Sequence, residues 1–486
     1  MKLEKISPKS IFFISSTIVF LSYLKPIFTV WAYSDEYDFF EVTPKLGNHM
    51  AQDGNLISAF LYSNFSAPLI NSAEDLWRLR VLSFLALFLI LNHLSNQILT
   101  YNKSRSTQFF LPIALTLPAP MTYISWSLIW QGSFAMLIAY LANILWLKSG
   151  LGMKLISFVL LSCSILMSPV AAFSIFGFHA IVFVLARVKS LDFLKIALKI
   201  LALYGISGIA SILTLIVSTS FLGTKLNERV GPPNLSELPE KVYWIISRPI
   251  VVSMRFFDIS SPTQINAIFT SLVVSSLLIC GFLVQSKNLR ENIFFRLILF
   301  STLILLSITP IVITWSNQIE YRYILGPSVA IFVVALALAK EVIGGRKFIL
   351  KYAYFPSIVL VSFFGVVTMN NHVNNQFIEP YKSKTAFIQS ELSKCKNKIH
   401  TLEEVVILQP KSTYPSWNNI GIFSQSTDMA SPWVPIPSVK YVLKTLEMFS
   451  NQITLQNSDA DTPLNSCKVD LEKYSRQLEV SDISSP

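Results

Sequence analysis

The sequence predicts a mainly α-helical, polytopic membrane protein with about eleven transmembrane helices and a small α/β domain near its C-terminal end. Three observations predict it. Hydrophobic residues make up 52% of the 486 positions and charged residues only 14%, with a mean hydropathy of +0.53; a soluble domain carries about 25% charged residues. The apolar residues fall in runs near the ~20 residues that a spanning helix needs. Lys and Arg crowd alternate short loops, as the positive-inside rule requires. The net charge of +11 therefore excludes nucleic acid as a partner, because no basic stripe is interleaved with aromatics.

Lys2, Lys5 and Lys9 precede the first apolar run, Ile11 to Trp31. It reads as an uncleaved span, with a cleaved signal peptide as the alternative, since Val30-Trp31-Ala32 loosely fits a cleavage site. Residues 32–77 form a first long loop, in which Asn55 to Tyr62 reads as a short surface helix. Such loops are usually functional. Runs follow at Leu79–Leu99, Phe109–Ser125, Leu128–Leu147, Met153–Met167, Val170–Ala186 and Ile196–Leu222. After a second long loop, 223–264, come Ile265–Val284, Leu297–Trp315, Tyr323–Ala339 and Tyr352–Met369. One set of loops holds Lys103 and Arg105, Lys148 and Lys154, Arg187, Lys189 and Lys195, Lys287 and Arg290, and Lys340 to Lys351. The short loops of the other set carry almost no base, which places the N-terminus in the cytoplasm and both long loops outside.

The division is thus 1–371 as the membrane domain and 372–486 as an extracytoplasmic domain with a disordered end beyond Leu478. In the tail, Glu403–Leu408 reads as a buried strand and Val439–Phe449 as an amphipathic helix. Cys395 and Cys467 would lie in an oxidising compartment and are expected to form a disulfide, two free thiols being the alternative. Cys163 and Cys280 sit in apolar runs and read as packing residues. No zinc spacing, nucleotide-binding loop or hydrolase motif is present.

The chemistry concentrates at Ser34-Asp35-Glu36-Tyr37-Asp38, where the first span emerges. A carboxylate beside apolar walls has its pKa raised by desolvation and can act as a general base. Neighbours on an extended segment point to opposite sides, so one of Asp35 and Glu36 would act while the other orients it or binds a cation. Asp38 is the weaker candidate, and a solvated loop start is the bland alternative. Later in the loop, Gln52-Asp53-Gly54-Asn55 is either a turn or a second wall of the same pocket. Arg78 and Arg80, Arg255, and Tyr321-Arg322 stand on the outer side, against the positive-inside trend. They read either as headgroup anchors or as phosphate ligands.

An acidic pair after the first span, a long first external loop, about eleven spans and an external tail domain resemble the GT-C superfamily. Its members are membrane glycosyltransferases that use polyprenyl-phosphate sugars. Ser34-Asp35-Glu36 is similar to the Asp-Glu signature of the protein O-mannosyltransferase and lipid A aminoarabinose transferase branches. Gln52-Asp53-Gly54-Asn55 is similar to a Gln-Asp-Gly-Arg stretch of the O-antigen glucosyltransferase branch, with Asn55 in place of Arg. The resemblance implies inverting sugar transfer to an extracytoplasmic glycan, lipid or protein. Asp35 would be the base, and Arg322 or Arg255 would stabilise the leaving phosphate. Asp53, Asn55, Arg78, Arg80 and Tyr321 would complete substrate binding. Mg2+ or Mn2+, held by Glu36 or Asp53 with phosphate oxygens, is optional. A lipid-linked sugar flippase, or a polysaccharide polymerase or ligase, is the alternative.

Overall fold

Apolar length dictates the architecture. Among the described residues, six helices are long and apolar enough to cross a membrane: Pro8–Phe28, Ala73–Tyr101, Ser127–Trp146, Ser190–Phe221, Ile268–Leu289 and Tyr321–Ile343. Three shorter apolar helices, Leu151–Met167, Pro169–Leu185 and Ile293–Leu306, accompany them. The protein is mainly α and membrane-embedded. The structure is a computed structural model that describes residues 7–40, 44–101, 105–222, 236, 238–258, 265–313, 321–343, 354–395, 404–409, 435–446, 452–457, 466–471 and 473.

Helix α1 (Pro8–Phe28) starts where Ser7 Oγ accepts from the Ser10 N–H, with Pro8 in the first turn; both are start signals. The first loop folds into a 3-10 turn, Ser34–Phe40, then α2 (Pro44–Gln52) and α3 (Leu56–Leu61). Helix α4 (Trp77–Tyr101) follows. The run expected to span at Phe109–Ser125 is instead broken into α5 (Arg105–Ile113), a 3-10 turn and α6 (Pro118–Ser125). Pro118 is the reason: it forces Leu117 to ψ 152°, out of the helical region. Every residue of α6 is buried, as broken backbone at membrane depth must be. The Leu115 carbonyl, freed by the break, accepts from Tyr23 on α1 (2.7 Å), and Ser15 of α1 donates to the Phe109 carbonyl (2.9 Å).

Helices α7 (Trp130–Trp146), α8 (Leu151–Met167) and α9 (Pro169–Leu185) are joined by short connections and pack in sequence. Such neighbours run antiparallel. Helix α10 (Ser190–Leu222) lies outermost, with Ile206, Ile209, Leu213 and Ile216 exposed to the hydrocarbon. After α11 (Leu238–Ile245) come α12 (Ile265–Leu289), α13 (Ile293–Leu306), α14 (Leu325–Ile343) and α15 (Phe355–Val373). Where α9 crosses α14, a Cβ on Gly177 would collide with the Gly326 backbone, so the two helices approach as only glycine allows.

Helix α16 (Glu379–Cys395) leads to β1 (Glu404–Gln409), α17 (Pro435–Thr445), β2 (Gln452–Asn457) and β3 (Ser466–Asp470). The sheet is parallel with order β2-β1-β3, Glu404 pairing with Gln452 on one side and Ser466 on the other. Val405 to Leu408 are all buried, the continuous apolar strand that a parallel sheet needs at its centre. A disulfide joins Cys395 to Cys467, tying α16 to β3. The region beyond Leu478 lies outside the described residues.

Candidate functional site

The acidic stretch expected to be extended forms a 3-10 turn, Ser34–Phe40. Glu36 faces inward and is fully buried. Its Oε2 accepts from the Tyr33 N–H (2.8 Å), and its Oε1 accepts from the Ser127 N–H. Arg80 Nη2 stands 3.8 Å from the same carboxylate. Burial pushes the Glu36 carboxyl up to about 6, against the lowering of Arg80 and of the two N–H groups. The side chain of Asp35 lies outside the described residues, as does that of Asp38.

Arg80 corrects its sequence reading. It was expected to meet a phosphate, but its side chain is wholly buried. Its guanidinium donates to the carbonyls of Ser125 (3.0 Å), Thr29 (3.3 Å) and Trp31 (2.7 Å), and lies 3.6 Å over the Trp31 ring. Arg80 and Glu36 together form a latch. It joins the end of α1, the acidic turn, the start of α4 and the α6–α7 corner at Ser125–Ser127. Glu36 is likewise corrected as a metal ligand, since both its oxygens are engaged with backbone N–H groups and Arg80.

The Gln52-Asp53-Gly54-Asn55 stretch is a helix stop. The Gly54 N–H reaches the Ala51 carbonyl (3.0 Å), the Asn55 N–H reaches that of Met50 (2.9 Å), and Gly54 has φ +82°. This is a complete Schellman motif, which glycine fits without strain. Asp53 stands 3.6 Å from His49 one turn back, and Asn55 opens α3. Both therefore have local structural work, and no metal role for Asp53 follows. Among the described residues, no three His, Cys, Asp or Glu side chains converge on a metal position. Arg78 is half exposed, pairs with Asp75 (3.0 Å) and donates to the Leu69 carbonyl (2.9 Å). It closes the first loop onto α4.

Tyr321, Arg322 and Arg255 stand at the end of the bundle that carries the latch. Arg255 is buried against Asp258 (2.9 Å), and Tyr321 Oη donates to the Asp258 carbonyl (3.5 Å). The Arg322 guanidinium lies 5.2 Å from the Trp126 ring centroid and 5.0 Å from that of Tyr323. Tyr123, on α6, donates to the Arg322 carbonyl (3.1 Å). Tyr33 meets Trp126 edge-on at 6.1 Å. A chain of contacts thus runs from Glu36 through Ser127 and Trp126 to Arg322, while Asp53 and Arg78 sit in their own local networks.

Above the acidic turn lies the C-terminal unit. Tyr441 of α17 packs on Tyr37 and Phe40, with ring centroids 6.0 and 4.8 Å apart. Lys384 of α16 is buried with its ammonium 4.6 Å over the Tyr37 ring. The sequence reading missed Trp126, Ser127, Lys384 and Tyr441. Trp126 and Ser127 fell between two apolar runs with no polar pattern to mark them, and no local signal links α16 or α17 to residue 37.

No family model matches the chain, and no curated protein matches it either.

Proposed function

We propose that the protein is a membrane glycosyltransferase of the GT-C kind. It moves a sugar from a polyprenyl-phosphate carrier to an extracytoplasmic glycan, lipid or protein. The observation that supports this most is the acidic turn directly after the first spanning helix, held in place by the Glu36–Arg80 latch. Glu36 is the orienting member of the acid pair and Asp35 the acting one. Asp35 takes the proton from an acceptor hydroxyl, whose oxygen forms a bond to the anomeric carbon from the side opposite the carrier. The bond from that carbon to the carrier phosphate oxygen breaks, and the lipid phosphate leaves with the electron pair. Arg322 neutralises it electrostatically. Among the described residues Glu36 and Asp53 do not fit a resident metal, and no step runs through one.

The membrane fold we infer has eleven passages. They are the six long helices, the three shorter ones, the broken α5–α6 segment and α15. The first loop and the disulfide-bonded C-terminal α/β domain lie outside, in keeping with an oxidising compartment. One feature favours a flippase as second reading, because transporters use discontinuous helices. In α5–α6, however, the freed Leu115 carbonyl accepts from Tyr23, which leaves it to packing.

Purified protein in liposomes with polyprenyl-phosphate sugars and an acceptor separates the readings. Transfer should occur, and Asp35→Asn should abolish it without loss of membrane insertion. Sugar movement across the bilayer without transfer would replace the enzyme with a flippase.

A further inference from the structure

The latch leaves a second function at the corner it fixes. Three backbone groups there are committed: the Ser125 carbonyl accepts from Arg80 Nε, the Ser127 N–H donates to Glu36, and the Trp126 N–H donates to the Thr122 carbonyl (2.9 Å). The corner is therefore rigid. Its side chains are another matter. The Trp126 indole N–H and the Ser125 hydroxyl are both buried, and neither has a hydrogen-bond partner among the described residues. An orphaned buried donor is costly, and such groups in native structures call for an explanation. Cations on aromatic faces are common, but here the aromatic under Arg322 also carries an unmet donor in its ring plane.

We propose that Trp126 and Arg322 together bind a phosphate group: the indole N–H donates to one phosphate oxygen and the Arg322 guanidinium neutralises the charge. The Ser125 hydroxyl is a second donor from the same corner. The ligand is a phosphate monoester or diester. Its identity as the lipid carrier rests on the transferase reading, whereas the anion site itself does not. Pre-organised donors of this kind cost no reorganisation when charge arrives. The same latch that holds the acidic turn would thereby hold the phosphate site at a set distance from it.

The test measures binding of polyprenyl phosphate, the matching polyprenol and inorganic phosphate to the full chain in nanodiscs. Wild type should bind the lipid phosphate well above the polyprenol. Trp126→Phe removes the donor while keeping an aromatic ring, though a smaller one, so lipid-phosphate binding should weaken about tenfold while polyprenol binding, which reports the lost volume, holds. Arg322→Gln should weaken it further. Inorganic phosphate binding with the same dependence on Trp126 identifies a free-anion site; dependence only with the lipid identifies the carrier. Unchanged affinity in a folded Trp126→Phe overturns the proposal. Should that variant not fold, the indole N–H resonances of the wild type decide. One of the nine tryptophans should shift with lipid phosphate and stay put with polyprenol, and no such shift overturns it as well. Binding without any sugar transfer would leave this site standing and remove the transferase reading.

Discussion

Two buried Arg–Glu pairs hold opposite ends of the bundle, and they behave differently. At one end, Glu36 and Arg80 are both wholly buried and stand 3.8 Å apart. At the other, where α9 ends and α10 and α13 begin, Glu291 meets Arg296 at 2.7 Å and keeps some contact with water. Arg296 also donates to Gln285 Oε1 (2.7 Å) and the Val188 carbonyl (3.1 Å), while Glu291 accepts from the Ser190 N–H (2.8 Å). Burial raises both carboxyls. At Glu36 it wins and the pKa goes up to about 6. At Glu291 the hydrogen bonds from Arg296 and Ser190 outweigh it, and the pKa falls below the ordinary value. Identical residue types thus give opposite shifts. Two things differ: Glu36 is wholly buried while Glu291 keeps contact with water, and Arg296 donates directly to its carboxylate whereas Arg80 spends its donors on backbone carbonyls.

The largest test of this contrast is Arg80→Ala. It strands a buried carboxylate and takes a donor from the carbonyls of Ile27, Thr29, Trp31 and Ser125, so the unfolding free energy in detergent should drop by about 3–5 kcal/mol. Arg80→Met with Glu36→Gln should recover part of that loss; a double variant as unstable as Arg80→Ala alone would show that packing over Trp31, not charge, holds the corner. Arg296→Ala should cost less, about 2 kcal/mol, because water can reach Glu291. An equal loss at both ends would remove the distinction drawn here.

The smallest effect is in the pH dependence, and its sign differs between the ends. The Glu36 carboxyl is raised from 4.5 to about 6, so the folded chain binds more protons than the unfolded one in that window. Its contribution to stability therefore falls as pH rises from 4.5 through 6. The Glu291 carboxyl is depressed, so its contribution is present above 4.5 and is lost as pH falls through the folded value. Unfolding midpoints across the acid range should show Glu36→Gln removing the decline on the rising side and Glu291→Gln removing the loss on the acid side. A Glu36→Gln profile parallel to wild type would refute the burial argument.

Much of this was legible beforehand because it depends on local pattern. Apolar run length placed the long helices, Gly54 marked a stop, and the Glu403–Leu408 run marked the central strand. The proline effect at Leu117 was also written in the chain, but hydropathy averaging hid it, so Phe109–Ser125 read as one span. The arginines were misjudged for a different reason. Arg78 and Arg80 are two residues apart on one helix, so they face different ways: one closes a loop in water and the other crosses into the core. Position along the chain marks the membrane boundary but not the direction of a side chain. Trp126 was invisible for the same reason, since its meaning comes from partners far away in sequence, Tyr33 and Arg322.

The α16–α17 layer over Tyr37 and Phe40 has a consequence for how the chain matures. N-terminal regions fold first during synthesis, so the acidic turn forms before its roof. Only when α17 has docked and the cystine between α16 and β3 has closed is that surface complete. Completion of that surface thus waits on tail folding, and a chain lacking α17 would leave Tyr37 and Phe40 without the Tyr441 ring.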